Sequence, residues 1–242
     1  MKVIIAGATG LVGSELIRQS LEMREISEVV ALARKPVQVD SGVNTSKLRI
    51  VVIADYGEYS EDVMAEFAGA DACIWTVAVT PFRTGGFDFA EVKRVCQECT
   101  LLGFEAIYRA GPSRPFRFLY FSAEGTSQGP AEESSAWFMR DYQIMRGETE
   151  MMVQKLPTKF TNVEVAIARP GVVTNNTTFL RSVLASLFDL TNIFTRALPN
   201  VSRRELVAAV LSQVVYGFDQ EILSNADLVR IGQTSLAGNR AA

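Results

Sequence analysis

Tyr142 and Arg146, in "DYQIMRGETE" (141–150), stand four residues apart. On a helix that spacing puts both side chains on one face, one turn apart. A free phenol has a pKa of about 10, so exchanging a proton near neutral pH requires stabilisation of its phenolate. A fixed cation beside it supplies that stabilisation. Arginine donates hydrogen bonds and carries charge but does not give up its proton, so it would tune the phenol without relaying protons. An ordinary helix turn can show the same spacing, and only a cofactor and a cleft nearby would make it a catalytic pair.

Other routes to chemistry are narrow. The chain has no histidine and three cysteines, which excludes Ser–His and Cys–His nucleophile systems and leaves Tyr, Asp, Glu, Lys and Cys for acid–base work. Cys96 and Cys99 form a C-x-x-C, yet they fall inside a helical pattern with Val92, Val95 and Leu102, and no second ligand pair exists. They read as half-buried core cysteines, with no metal site expected.

A second chemical feature opens the chain. "IIAGATGLVGSEL" (4–16) spaces Gly7, Gly10 and Gly13 between an apolar run and a helical pattern. Gly7 suits a tight turn, Gly10 lets backbone approach a pyrophosphate, and Gly13 allows close helix–strand packing. Helix amides would then face the phosphates. The spacing is G-x-x-G-x-x-G, and the alternative is a bare structural turn. The run after the second apolar segment, "VALARKP", carries Arg34 and Lys35 and no acid. Two cations there suit a 2′-phosphate and hence NADP, where an NAD protein would place a carboxylate; the alternative is a pair of solvated loop charges. Asp55, in "VIADY", is placed to accept from the adenine amino group.

The elements that must position these residues alternate short β-branched runs with longer helical patterns. Strands are expected at 2–6, 29–33, 48–54, 71–79, 116–122 and 163–168. Helices are expected at 10–23, with Leu11, Leu16, Ile17 and Leu21 inward, at 60–70 behind a serine cap, and at 88–109. One beginning near Ser134 or Ser135 carries Tyr142 and ends before Pro157, and two more lie near 179–190 and 204–218. This is a doubly wound parallel α/β sheet in one domain spanning 1–242, with residues from about 174 onward contributing a small cap. The 242 residues, 48% of them hydrophobic and 21% charged, suit one such domain. A net charge of -3 with no basic run argues against nucleic acid. No apolar run approaches the roughly 20 residues of a membrane span, and a strand starting at Lys2 leads to the expectation of a cytoplasmic protein.

At this point the chain resembles the short-chain dehydrogenase/reductase superfamily, most closely its atypical, extended-type members, the NmrA-like proteins and the Tat-interacting oxidoreductase group. The resemblance is carried by "GATGLVG" (7–13), "GADACIW" (69–75), "FSAEG" (121–125), "YQIMRGETE" (142–150) and "ARPGVV" (168–173). It implies a Rossmann fold, with the cofactor against Gly7, Thr9, Gly10, Leu11, Val12, Gly13, Tyr56, Thr76, Val77 and Ala78, and its nicotinamide end near Pro170, Gly171 and Val172. Tyr142 matches the family's tyrosine, Arg146 stands where lysine is usual, and Ser122 or Thr126 matches the active-site hydroxyl. Phe82, Trp137, Phe138 and Asn175 would line the substrate pocket, with Trp75, Arg83, Phe87 and Met139 near it, about half of the aromatic set being plain core. The implied activity is NADP-dependent reduction or oxidation of a hydrophobic, ring-containing carbonyl or alcohol. A non-redox isomerase or cyclase, and a non-catalytic NADP sensor, stay open, as does a homodimer.

Overall fold

The computed structural model describes residues 1–79, 88–126, 137–174 and 200–238, and of residues 137–139 the helix alone. Phe82, Arg83, Phe87, Asn175, the start of the Tyr142 helix and the helix expected near 179–190 lie outside them, as do the side chains of Trp137, Phe138 and Met139.

The β-branched runs form strands where the alternation indicated. They are β1 (Lys2–Ala6), β2 (Glu28–Ala33), β3 (Leu48–Val52), β4 (Ala72–Trp75), β5 (Phe116–Phe121) and β6 (Val163–Ala168). With the two-residue β9 (Ile222–Leu223) they make one parallel sheet in the order β3-β2-β1-β4-β5-β6-β9. The chain winds outward through β2 and β3, then returns past β1 to begin the other half. The switch therefore falls between β1 and β4, where such sheets bind ligands at their carboxyl ends. Gly7, Arg34, Asp55, Thr76, Ser122 and Arg169 each follow a strand at that edge.

Side chains alternate across the sheet. Val30, Ile4, Cys73, Phe118 and Val165 are register partners in one row and share one core. Val3, Ile5, Leu119 and Ala168 point into the other. Buried on both faces, β1, β2 and β4 read as near-continuous apolar runs, whereas the edge strand β3 is largely exposed. On the second face lies α1 (Leu11–Glu22), which buries Leu16, Ile17 and Leu21. Leu11, expected inward, is 47% exposed, because it is the first helical residue and sits at the open end of the glycine loop.

Three strands are shorter than expected, β5 by Ser122 alone. Segment 53–54 leaves β3, and β4 stops at Trp75 because β1 has turned away at Gly7; Thr76 closes the ladder with its amide and hydroxyl, which both donate to the Ala6 carbonyl at 3.0 and 2.7 Å. The helix of segment 60–70 covers only α2 (Glu61–Ala65), capped by Ser60 as expected. The long helix near 88–109 is α3 (Phe89–Lys93), a π-helical turn (Arg94–Glu98) and α4 (Cys99–Arg109). All three cysteines are free and buried, Cys96 and Cys99 deeper than the half-burial expected of them. Next come α5 (Trp137–Gln154) and the short α6 (Leu156–Lys159).

Residues 203–238, expected in a cap, lie in the body of the domain. After the small pair β7 (Val172–Thr174) and β8 (Asn200–Ser202), α7 (Arg203–Tyr216) puts Leu206, Val207, Val210 and Val214 into the core beside α1. Helix α8 (Asn225–Gly238) packs on α7 so tightly that a Cβ on Gly232 would overlap the Glu205 carbonyl. Among the described residues no helix is long and apolar enough to cross a membrane.

Candidate functional site

The glycine loop turns on Gly7, at φ +86°. A side chain there would collide with Thr76 Oγ1, and one on Gly13 would collide with the Gly7 carbonyl and Ala8 Cα. Both glycines are thus demanded by packing. Gly10 is different. Its φ of -75° suits any residue, and a Cβ would meet only the Gly7 carbonyl at 3.1 Å, with open space beyond. It precedes α1, whose N-terminus has no side-chain cap and no acid in its first turn. Amides of Leu11 and Val12 at an uncapped, unscreened helix start suit a phosphate. Thr9 is exposed beside them.

Tyr56 ties this loop to the adenosine end. Its hydroxyl accepts from the Gly7 amide and donates to the Leu32 carbonyl, each at 3.2 Å. Burial pushes this phenol up to about 12, so it stays a neutral strut. Arg34, exposed after β2, lies over the Tyr56 ring at 5.8 Å, with Lys35 exposed beside it. Asp55 is not a free acceptor awaiting adenine: both its oxygens take hydrogen bonds from Arg94 at 2.9 Å, and Oδ1 also takes one from the Gly57 amide at 2.7 Å. Those bonds, those of Arg94 foremost, hold its carboxyl at about 2. Arg94 also forks onto Glu91, at 2.7 and 2.8 Å. Sequence reading missed Arg94, since nothing local marks a partner 39 residues away.

Beyond Thr76 the chain runs towards the other end of the cleft. Val77 is buried in the core and Ala78 is exposed. Val79 donates its amide to Cys96 Sγ at 3.3 Å, in the π turn. Tyr142, Met145, Val92 and Cys96 pack together there, with Val79 and Phe89 against them. Trp75, one of the aromatics named near the pocket, is instead full core: it is completely buried and lies against Gly103, Tyr56 and Phe118.

Tyr142 and Arg146 are both buried on α5, at 7% and 2% exposure. Burial raises the phenol's pKa and Arg146 opposes that rise, so desolvation outweighs the cation that the sequence suggested would lower it. Among the described residues the buried Arg146 guanidinium has one hydrogen-bond partner, the Phe121 carbonyl, and it stacks over the Tyr120 ring at 4.9 Å. Its Nε and Nη1 have no partner among the described residues. An enclosed cation short of acceptors is costly unless a ligand completes it.

Ser122 follows the carbonyl that Arg146 grips. Its hydroxyl lies 3.3 Å from Thr126 Oγ1, which donates to the Ala123 carbonyl at 2.7 Å. Thr126 can therefore only accept from Ser122, and the two expected hydroxyls form one chain. Segment 170–172 is bound beside them: the Glu124 amide donates to the Pro170 carbonyl at 2.9 Å, and the Gly171 amide to Asn225 Oδ1 at 2.8 Å. Val172 is 45% exposed. Asn225 also donates to the Asn200 carbonyl at 3.2 Å, pinning the strand that passes the site. It too was missed, although the Ser224–Asp227 capping pair at the start of α8 is a readable signal. Among the described residues no group of three or more His, Cys, Asp or Glu could hold a metal ion.

The family model described as NAD(P)H-binding matches residues 7–215. A curated relative, leucinostatins biosynthesis cluster protein T of Purpureocillium lilacinum, is 36% identical over 76 residues, a stretch spanning 31% of this chain and 27% of that one. Among solved structures, DesIV, a dTDP-glucose 4,6-dehydratase from Streptomyces venezuelae with NAD bound, aligns at TM-score 0.69 and 17% identity over 98% of this chain and 81% of its own. The PhqB reductase domain from Penicillium fellutanum aligns at 0.66 and 16%, over 93% and 67%. At such identities the structures speak for the fold alone. With the glycine loop at the switch point and the model covering most of the sequence, the chain belongs to the NAD(P)H-binding family, on a Rossmann-type fold.

Proposed function

We propose that this protein is an NADP-dependent oxidoreductase acting in the cytoplasm on a small hydrophobic carbonyl or alcohol. The observation that carries the reading is Arg146, a buried guanidinium that acts on the Tyr142 phenol while two of its nitrogens lack acceptors among the described residues. Ribose hydroxyls at the nicotinamide end would satisfy those nitrogens, and the uncapped start of α1 would take the pyrophosphate. NADPH, when bound, supplies a hydride to the carbonyl carbon. Tyr142, kept protonated by burial, gives its proton to the carbonyl oxygen, and Ser122 donates to the same oxygen by turning from Thr126. The Tyr142 phenolate left behind is stabilised by Arg146 and regains a proton from water. The 2′-phosphate reading rests on Arg34 and Lys35, and the apolar substrate on Phe82, Trp137 and Phe138 in the sequence, with Asn175 orienting its polar substituents.

Because Arg146 does not lose a proton, an isomerase or cyclase without net redox change, or an NADP sensor, is the second reading. The test is NADPH absorbance in the presence of apolar aldehydes, ketones and ring-containing carbonyls. Consumption with at least one of them supports the oxidoreductase. Tight NADPH binding without consumption across the panel would replace it by the sensor.

A further inference from the structure

The cluster around Arg94 is more elaborate than a surface salt bridge requires. Nη1 and Nη2 fork onto Asp55, Nε and Nη2 fork onto Glu91, and Nη1 also lies 3.6 Å from Cys99 Sγ. Every nitrogen of the guanidinium is engaged, so Arg94 is not aimed at a ligand. What it does is neutralise. Arg34 acts electrostatically on the same two carboxylates, which places them within range of whatever Arg34 holds. The site thus sets three cations (Arg34, Lys35 and Arg94) against two acids. Without Arg94 the two sides would balance, and a phosphate monoester carrying nearly two negative charges would face two uncovered carboxylates.

We propose that Arg94 is the positioning residue for cofactor choice: by binding Asp55 and Glu91 together it removes the repulsion that would keep a 2′-phosphate from Arg34 and Lys35. The inference rests on the dinucleotide reading above. Arginine is required because one planar fork serves both acids, a geometry lysine lacks. The π-helical turn that begins at Arg94 starts this side chain one turn from Glu91, opposite the loop after β3.

The test uses the adenosine end alone: calorimetry of the full chain with 2′,5′-ADP and with 5′-ADP. The unsubstituted protein should favour 2′,5′-ADP by roughly tenfold or more. Arg94→Met should cut that ratio by about fivefold, the scale of two unscreened charges near a phosphate. Adding Asp55→Asn and Glu91→Gln to Arg94→Met should restore it, which a merely structural role of Arg94 would not allow. Glu91→Gln alone, on a partly exposed helix turn, should raise the ratio and gives a variant that folds in any case. An unchanged ratio in Arg94→Met, no rescue in the triple variant, or a lower ratio in Glu91→Gln would each overturn the proposal. No preference in the unsubstituted protein would overturn the NADP reading and this inference together, whereas a preference indifferent to Arg94 overturns this inference alone.

Discussion

Replacing Arg146 by methionine separates a ligand-binding cation from a structural one. Removing one member of a true buried ion pair typically costs about 3–5 kcal/mol, because the other charge is stranded. Here the hydrogen-bonded partner is the neutral Phe121 carbonyl, and the nearest buried acid, Glu150, is forked by Arg169. The substitution loses that carbonyl's donor, about 1–3 kcal/mol, and the contact with the Tyr120 ring, up to about 2 kcal/mol. It also relieves the several kcal/mol spent in burying a cation whose Nε and Nη1 are unmet. These terms nearly cancel, so cofactor-free Arg146→Met should unfold in urea within about 1 kcal/mol of the parent, or about 2–4 °C in melting temperature for a chain of this size. NADPH affinity should fall sharply, since the ligand's half of the bargain is gone. A loss of about 3 kcal/mol or more with NADPH affinity intact would refute the reasoning and make Arg146 a fold residue.

Other changes probe the remaining parts. Gly10→Val should abolish dinucleotide binding in calorimetry with the fold intact, because the space at Gly10 is open; Gly13→Ala should instead lower stability by about 1–3 kcal/mol through overlap with the Gly7 carbonyl. Arg34→Ala should erase most of a roughly tenfold NADPH preference, about 1.4 kcal/mol, and equal affinities for NADPH and NADH in the parent would refute that role. Tyr142→Phe should lower turnover by about 10²–10⁴ with cofactor affinity little changed, and a parental rate would remove Tyr142 as the acid. Since burial raises this phenol, carbonyl reduction should be lost only as pH rises past the ordinary phenol value of about 10, and an alkaline limb well below it would refute the assignment.

Strands were the most legible part of the fold. Parallel strands buried on both faces, such as "KVIIA" and "VEVAIA", leave runs that are apolar but for Lys2 and Glu164, with few competing readings, and β1 and β6 fall where those runs lie. Extent was less legible. Whether "TVAV" after Trp75 continues β4 depends on β1 having turned away at Gly7, a tertiary fact. Helix α8 was not expected from the sequence; Gly232 within it is the contact that lets α8 press onto the Glu205 backbone. The body assignment of α7 and α8 follows from that same packing.

For the site, sequence could place residues at strand ends but could not say what state they are in. Gly7, Gly10 and Gly13 look alike in the motif. Only the packing shows that two of them serve the fold while Gly10 alone borders open space. Asp55 illustrates the other limit. Its position after β3 is readable, yet its commitment to Arg94 depends on a helix from the opposite half of the sheet. The same holds for Arg146, whose identity suggests a cation near a phenol. Its enclosure, and the nitrogens left without acceptors, arise from β5 and α5 closing around it. A charge buried at that cost calls for acceptors beyond the described residues, and that requirement, more than the four-residue spacing, singles the pair out as the candidate site.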